Sequence, residues 1–556
     1  MRVLHKMELY PDYIFYGGSV HTVDRRNTVA EAIAVSGNRV LAVGSSEDVL
    51  ALRKNKTKVA NLRGASLIPG IIDSHNHAWE AGRLLDGVVT FGLRSIDDLQ
   101  QAVREKAEAL PVDSWLQGGG WIESQFRENR MPNRWDLDAA APGVPVVLER
   151  IFSACVASSR ALQLAGINRD TPDPPDGEIE REPETGEPNG ILHRGAKMLM
   201  RRAMPGPFGA SSFGDSGAEA SITRALSEYL SYGITGIVEP GVSPALCRTY
   251  QKLRDTDKLP LRVNLMPNWH GFALAQEMDH MDRLIDEMGF YTGFGDEWLS
   301  LGALKMAIDG GLTSRTAYKS FPYVDEVAPR SVASLPIRLD LSRLAGWVKK
   351  AHDSGWSVGI HVVGDVAQDL AVEAIFKAYV DNPVRRRHQI IHGYYPSPVA
   401  LRRMNDAAII AALQPAFIYG EADGYNDLLH RADQNEFMPL RSYMNAGVRV
   451  AMSTDMPSAH YNPFWGMYSA VTRKGMLGHQ LGAREAVTIP EALRMMTINS
   501  AYVSREEKIK GSLEPGKLAD LTVLDVDLGE IGPEALRDIR VDLTMIDGEI
   551  VYERTR

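Results

Sequence analysis

Two cysteines, Cys155 and Cys247, are all that this chain of 556 residues contains. No disulfide framework can be built from them, and such usage suits a reducing cytoplasm. Long apolar runs are also missing: no stretch reaches the length of a transmembrane helix, and the charged start from Met1 to Tyr10 has no signal-peptide core. Positive charge is not in excess, with 61 Lys and Arg against 71 Asp and Glu and a net charge of −10. That balance argues against nucleic acid or an anionic membrane as partner. Internal repeats and low-complexity tracts are absent too. What remains is a cytoplasmic globular protein with a small-molecule partner, too long for one ordinary core and expected to fold as a large domain with smaller ones attached.

The two ends carry short β-patterned runs. Near the start these are Tyr13–Tyr16, Ala32–Val35 and Arg39–Val43, separated by turn signals at Gly17-Gly18, Ser36-Gly37-Asn38 and Gly44-Ser45-Ser46. Near the end they are Leu521–Leu524, Val541–Ile546 and, after an Asp547-Gly548 turn, Glu549–Tyr552. Neither set can bury an apolar face alone. We therefore expect residues 1–66 and 507–556 to join in one composite β-sandwich rather than to form two separate sheets.

Between them, residues 67–506 alternate apolar runs with helical patterns such as Leu341–His352 and Val366–Val380, the mark of βα units. Ile68–Ile72, Ile234–Val238, Leu261–Met266, Leu301–Met306, Ser357–Ile360, Gln389–Ile391, Ala408–Leu413 and Val448–Met452 supply the strands of an α/β fold, a distorted (β/α)₈ TIM-like barrel. The stretch from about 79 to 213 is too long for one βα unit. It holds a helix at Ser95–Leu110, a strand-like run at Val144–Leu148 and a Pro-, Gly- and acid-rich loop at Thr171–Gly190. It is expected to be an insertion that covers the barrel mouth and selects substrate.

Chemistry in such barrels sits at the C-terminal strand ends. The first strand leads through Asp73-Ser74 to His75-Asn76-His77, two imidazoles spaced to project the same way. Lys305 lies inside the fourth apolar run, where desolvation lowers its pKa and leaves a nucleophilic amine able to take up carbon dioxide as a carbamate. Snorkelling to the rim or pairing with Asp309 would be its structural alternatives. His361 and His392 end the fifth and sixth runs, and Ser453-Thr454-Asp455 follows the eighth. Each of these alone could be a satisfied core histidine or, for Asp455, a helix N-cap. In this order at five strand ends, His75, His77, Lys305, His361, His392 and Asp455 read together as a metal site.

The same residues resemble the amidohydrolase superfamily of metal-dependent hydrolases, in the branch that includes N-substituted formamide deformylase. The matching words are Pro69–His77, Gly119-Gly120-Trp121, Gly186–Leu192, Asp309-Gly310 with Ser314–Ala317, His361–Asp365, Ser453–Pro457 and Gly511–Leu521. The resemblance implies one or two divalent ions, usually zinc. His75, His77 and Asp455 would hold one, His361 and His392 the second, and carbamylated Lys305 would bridge. It also implies a homodimer or larger homo-oligomer. One word departs from the pattern: Phe152-Ser153-Ala154-Cys155 places Ser153 where relatives often carry histidine.

Such ions would lower the pKa of a water, and Asp455 would act catalytically, passing the proton to a leaving nitrogen. The expected reaction is hydrolysis of a C–N bond in a small uncharged amide, an N-substituted formamide or similar. A carbamate, urea, cyclic amide or ester would suit the same site, and a non-catalytic metal-binding barrel is the reading from another class. Paired carboxylates at strand ends, which glycoside hydrolysis needs, are not found. Trp79, Trp121, Arg315, Tyr323, Phe417 and His460 are the candidate substrate contacts, with Tyr419 and Trp465 beside them. Rim packing, or for Arg315 a structural ion pair, is the alternative for each.

Overall fold

The computed structural model describes residues 10–111, 114–150, 154–174, 177–204, 217–270, 282–283, 285–330 and 340–555. Eight parallel strands form a nearly closed barrel: β1 (Ile71–Asp73), β2 (Ile234–Val242), β3 (Arg262–His270), β4 (Leu304–Ala307), β5 (Val358–Val362), β6 (Gln389–His392), β7 (Ile410–Leu413) and β8 (Val450–Met452). They neighbour one another in chain order. Apolar and β-branched residues dominate because such strands are buried on both faces. Helices Ala218–Leu230, Pro244–Asp255, Leu344–Asp353, Asp365–Asp381 and Pro398–Asp406 lie outside. Val238, Met266, Ala303, Ile391, Ile410, Ala412 and Ala451 pack together as a separate interior cluster that Val503 joins.

Two expected strands break at a glycine. Ile68–Ile72 is not one strand: Ser66–Pro69 pairs with Leu521–Leu524 of the terminal sheet, and Ile71–Asp73 pairs with β2. Gly70 makes the transfer. Its N–H donates to the Asp520 carbonyl, and a Cβ there would lie 2.2 Å from Thr235 Oγ1. Leu301–Met306 likewise divides into Leu299–Leu301 and β4, both against β3. At Gly302 a Cβ would meet Asn264 Oδ1 at 2.1 Å, so β3 and its neighbour close up only around glycine.

The two ends share one eight-stranded sheet, with Ser66–Pro69 joining the C-terminal strands to Tyr13–His21. Two separate sheets are thereby excluded. The expected turn at Gly17-Gly18 is instead an irregularity inside the strand Tyr13–His21, where the register shifts between Tyr16 and Val20 and Gly17 takes φ 71°. The strand Arg39–Gly44 returns toward residues 516–519, so residues of both ends enclose one core that includes Phe15, Ile33, Val35, Leu521 and Met545.

The insertion carries its own six-stranded sheet and the helix Ile96–Glu108, capped by Ser95. Thr171–Gly190, expected to be loop, contains Gly177–Arg181, which pairs antiparallel with Pro188–Arg194. The acidic and prolyl residues there flank a hairpin rather than exclude one. Ser153 and Phe152 lie outside the described residues, as does the end of the insertion at 205–213.

Candidate metal centre

The barrel places five of the six ligand candidates at or just beyond the C-terminal ends of its strands, with Lys305 inside β4. His75 and His77 follow β1, their rings edge to face with centroids 5.4 Å apart. His75 is 1% exposed, and its Nε2 lies 3.2 Å from Lys305 Nζ and 3.6 Å from Asp455 Oδ1. His77 Nε2 lies 3.2 Å from the same oxygen. Ligand atoms of His75, His77 and Asp455 all fall within 4.8 Å of one another. On the other side His361 and His392 stand with ring centroids 4.3 Å apart, and His392 reaches within 6.0 Å of His75.

Burial sets the charge state of this group. It pushes His75 and His392 well below the ordinary imidazole range, helped by Lys305 and, for His392, by His361. Burial and Lys305 take His361 to about 4. Lys305 itself falls to about 8 because burial outweighs the attraction of Asp455. His77 differs: burial works against its cation, but the adjacent Asp455 carboxylate and the nearby Glu80 charge hold it above the ordinary value. Neutral imidazoles and a readily deprotonated amine are what metal coordination and carbamate formation require.

Several of these groups are left without hydrogen bonds in a buried place. His75 Nδ1, His392 Nδ1 and Asp455 Oδ1 make none. Orphaned polar atoms cost free energy unless something else satisfies them, and His75, His77 and Asp455, with ligand atoms close together, offer the N,N,O donor chemistry of a zinc-like ion. The residues therefore fit a metal. His392 and Asp455 also take left-handed φ values of 71° and 58°, strain that clusters at functional positions.

The structural alternatives for Lys305 and Asp455 fall away, whereas His361 Nε2 has a partner in the Gly310 carbonyl at 3.1 Å. Lys305 is 8% exposed and does not snorkel, and Asp309 is occupied by the N–H groups of Tyr318, Val363 and Gly364. Asp455 caps no helix: the next one, Pro463–Thr472, is capped by Asn462.

The proposed substrate contacts separate into groups. Phe417 and His460 line one cavity with Tyr419, Trp465, Phe91 and Ile122. Phe417 lies 5.9 Å from the His392 ring, so the cavity adjoins the metal centre. Trp121 is packed on Phe126 in the insertion core. Trp79 lies under the Arg83 guanidinium at 4.8 Å. Arg315 donates to Asp325 at 2.6 Å, and Tyr323 is buried beneath Lys319 at 3.7 Å.

Two acids were not singled out from sequence. Glu239, inside β2, accepts from Ala78 N at 2.6 Å, and burial raises it to about 7. Asp73 ends β1 and is raised by burial to about 6 despite several hydrogen bonds. Both carry the signal that revealed Lys305, an ionisable residue inside an apolar run. Phe91 and Ile122 carry none, since only the folded insertion brings them to the cavity.

Residues 58–552 match the model of the Amidohydrolase family. N-substituted formamide deformylase of Arthrobacter pascens is 30% identical over 98% of this chain and 99% of its own length. The protein LONG AFTER FAR-RED 3 of Arabidopsis thaliana is 28% identical over 97% of this chain and 91% of its own. Among solved structures, an uncharacterized metal-dependent hydrolase from Pyrococcus horikoshii superposes with a TM-score of 0.70 at 23% identity, covering 94% of this chain and 99% of that one. Atrazine chlorohydrolase TrzN from Arthrobacter aurescens, complexed with zinc, gives 0.51 at 16% identity, covering 97% and 95%.

Proposed function

This chain belongs to the amidohydrolase family and is a hydrolase of C–N bonds, and on that premise we propose that it cleaves small uncharged amides, N-substituted formamides first among them. The observation that carries the reading is the cluster of His75, His77 and Asp455 with ligand atoms within 4.8 Å of one another, beside a buried lysine of lowered pKa. His75, His77 and Asp455 would hold one zinc-like ion, and His361, His392 and a carbamylated Lys305 would serve a second. When bound, the metal supplies Lewis acidity, polarising a carbonyl and making a water acidic near neutral pH.

The chain's own groups do the rest. Asp455 Oδ1, facing both β1 imidazoles, takes the proton released as the new C–O bond forms. It returns that proton to the nitrogen as the C–N bond breaks, so that a formamide and water give formate and an amine. Phe91, Phe417, Tyr419 and Trp465 offer an apolar wall to the nitrogen substituent. The 30% sequence identity to the Arthrobacter pascens deformylase supports formamides over other amides. We further propose that the protein acts in the cytoplasm as a homodimer or larger homo-oligomer; no helix among the described residues is long and apolar enough to cross a membrane.

The test is formate release by zinc-loaded protein from a panel of N-alkyl and N-aryl formamides, beside acetamides, carbamates, ureas and esters. Formate release well above that of an Asp455→Asn control is expected. Hydrolysis confined to carbamates, ureas or esters would replace the formamide reading.

A further inference from the structure

Every neighbouring pair of barrel strands is joined by a backbone ladder except one: among the described residues, β1 and β8 have none. The metal ligands lie across this seam, His75 and His77 after β1 and Asp455 after β8. Their separation is therefore not set by strand pairing, as it is for Lys305 and His361, whose strands share a register. Something else must hold it.

We propose that the Asp73 carboxylate is a positioning residue that stands in for the missing ladder and sets the distance between the β1 histidines and Asp455. The assignment is of this chain's residues toward the metal and rests on the metal reading above. Asp73 is the last residue of β1 and is 2% exposed. Its Oδ1 accepts from Thr454 N at 3.0 Å and its Oδ2 from Thr454 Oγ1 at 2.5 Å, so both oxygens grip the residue before Asp455. The same carboxylate accepts from Asn76 Nδ2 at 2.9 Å and from His75 N at 3.4 Å, within the His75–His77 segment itself. Asn76 is fixed in turn by Tyr229, whose hydroxyl donates to Asn76 Oδ1 at 2.8 Å.

One buried carboxylate thus binds both edges of the seam at the level of the ligands. The backbone bonds that cross nearby, Asp455 N to His75 O and His77 N to Met456 O, tie the loops beyond the strands. The two-oxygen grip adds a hold on Thr454 at the level of the ligands, next to Asp455 at its left-handed φ of 58°. A carboxylate is required because it alone presents acceptors on both oxygens; an amide at this place would turn one of them into a donor facing the donors of Asn76 and Thr454.

The experiment is zinc binding to metal-stripped protein by competition with a chromogenic chelator, for wild type, Asp73→Asn, Thr454→Val and Thr454→Ser. Melting of each metal-free protein is recorded alongside. The expected result is that Asp73→Asn and Thr454→Val each weaken one ion about 10–100-fold, leave the other as in wild type, and that Thr454→Ser restores it. Thr454→Val removes a single donor and serves if Asp73→Asn does not fold. Wild-type zinc affinity in variants whose melting temperature alone has fallen would overturn the proposal, because a purely structural clamp would behave that way. A wild type that takes up no zinc would overturn the metal reading itself, and the proposal with it.

Discussion

At the residue scale the site is organised by burial acting on charge. Burial leaves His75, His361 and His392 neutral and weakens the hold of Lys305 on its proton, while Asp455 keeps a free oxygen between two imidazoles. Replacing Asp455 by Asn retains an oxygen ligand but cannot carry a proton. Turnover in that variant should drop by roughly three orders of magnitude or more with much of the metal retained; near-normal turnover would remove Asp455 from proton transfer. All six ligand candidates were legible in the sequence because each is an ionisable residue at or inside an apolar run, a placement that physics penalises unless it has a use. The pocket was half legible. Phe417 and His460 follow barrel strands and reach the cavity, whereas Trp121 turned inward to the insertion core and Arg315 to Asp325. Side chains on long loops point where tertiary packing sends them, and no period in the sequence records that choice.

At the element scale two devices hold the strands in place. Gly70 passes the chain from the terminal sheet to the barrel in a space that Thr235 fills, since a Cβ would sit 2.2 Å from its Oγ1. Gly70→Ala should cost roughly 1–3 kcal/mol by overpacking, read as a lower denaturation midpoint, and Thr235→Ala should recover part of it. The Gly70 break was invisible because Leu67 to Ile72 is apolar throughout apart from Pro69 and Gly70, and an apolar run does not say how many sheets it serves.

The second device lies below β5 and β6. Val358 N–H donates to His388 Nδ1, His388 Nε2 meets His352 Nδ1 at 2.9 Å, and His352 Nε2 donates to the Asn382 carbonyl. The chain of bonds is complete only with both rings neutral. Burial takes His388 to about 3 and lowers His352 too, both below the unfolded value of about 6.5. Protonation therefore favours the unfolded chain: the stability is present above about pH 6.5 and drains away as pH falls toward 3. Melting temperatures from pH 7 to 4 should decline less steeply in His388→Asn, which keeps an acceptor for Val358; an unchanged slope would contradict this.

At the scale of the whole molecule, a buried ion pair ties the barrel to the terminal sheet. Arg262 of β3 is 1% exposed; it grips Asp520 through two nitrogens at 2.7 and 3.0 Å and reaches Asp547 at 2.9 Å. Arg262→Met leaves Asp520 buried without its cation and should cost about 3–5 kcal/mol, lowering one cooperative transition rather than releasing the sheet alone. That the two ends meet was legible, because each set of strands is too small to bury its own apolar face. How they meet was not, since pairing across some 450 residues leaves no local trace.

The central claim is that six side chains drawn from five strand ends hold metal. It is tested most directly by elemental analysis of protein purified without chelator or added metal, beside Lys305→Ala. The account predicts about two zinc-like ions per wild-type chain and clearly fewer in the variant. A wild-type chain that carries no metal and takes up none on addition would contradict it.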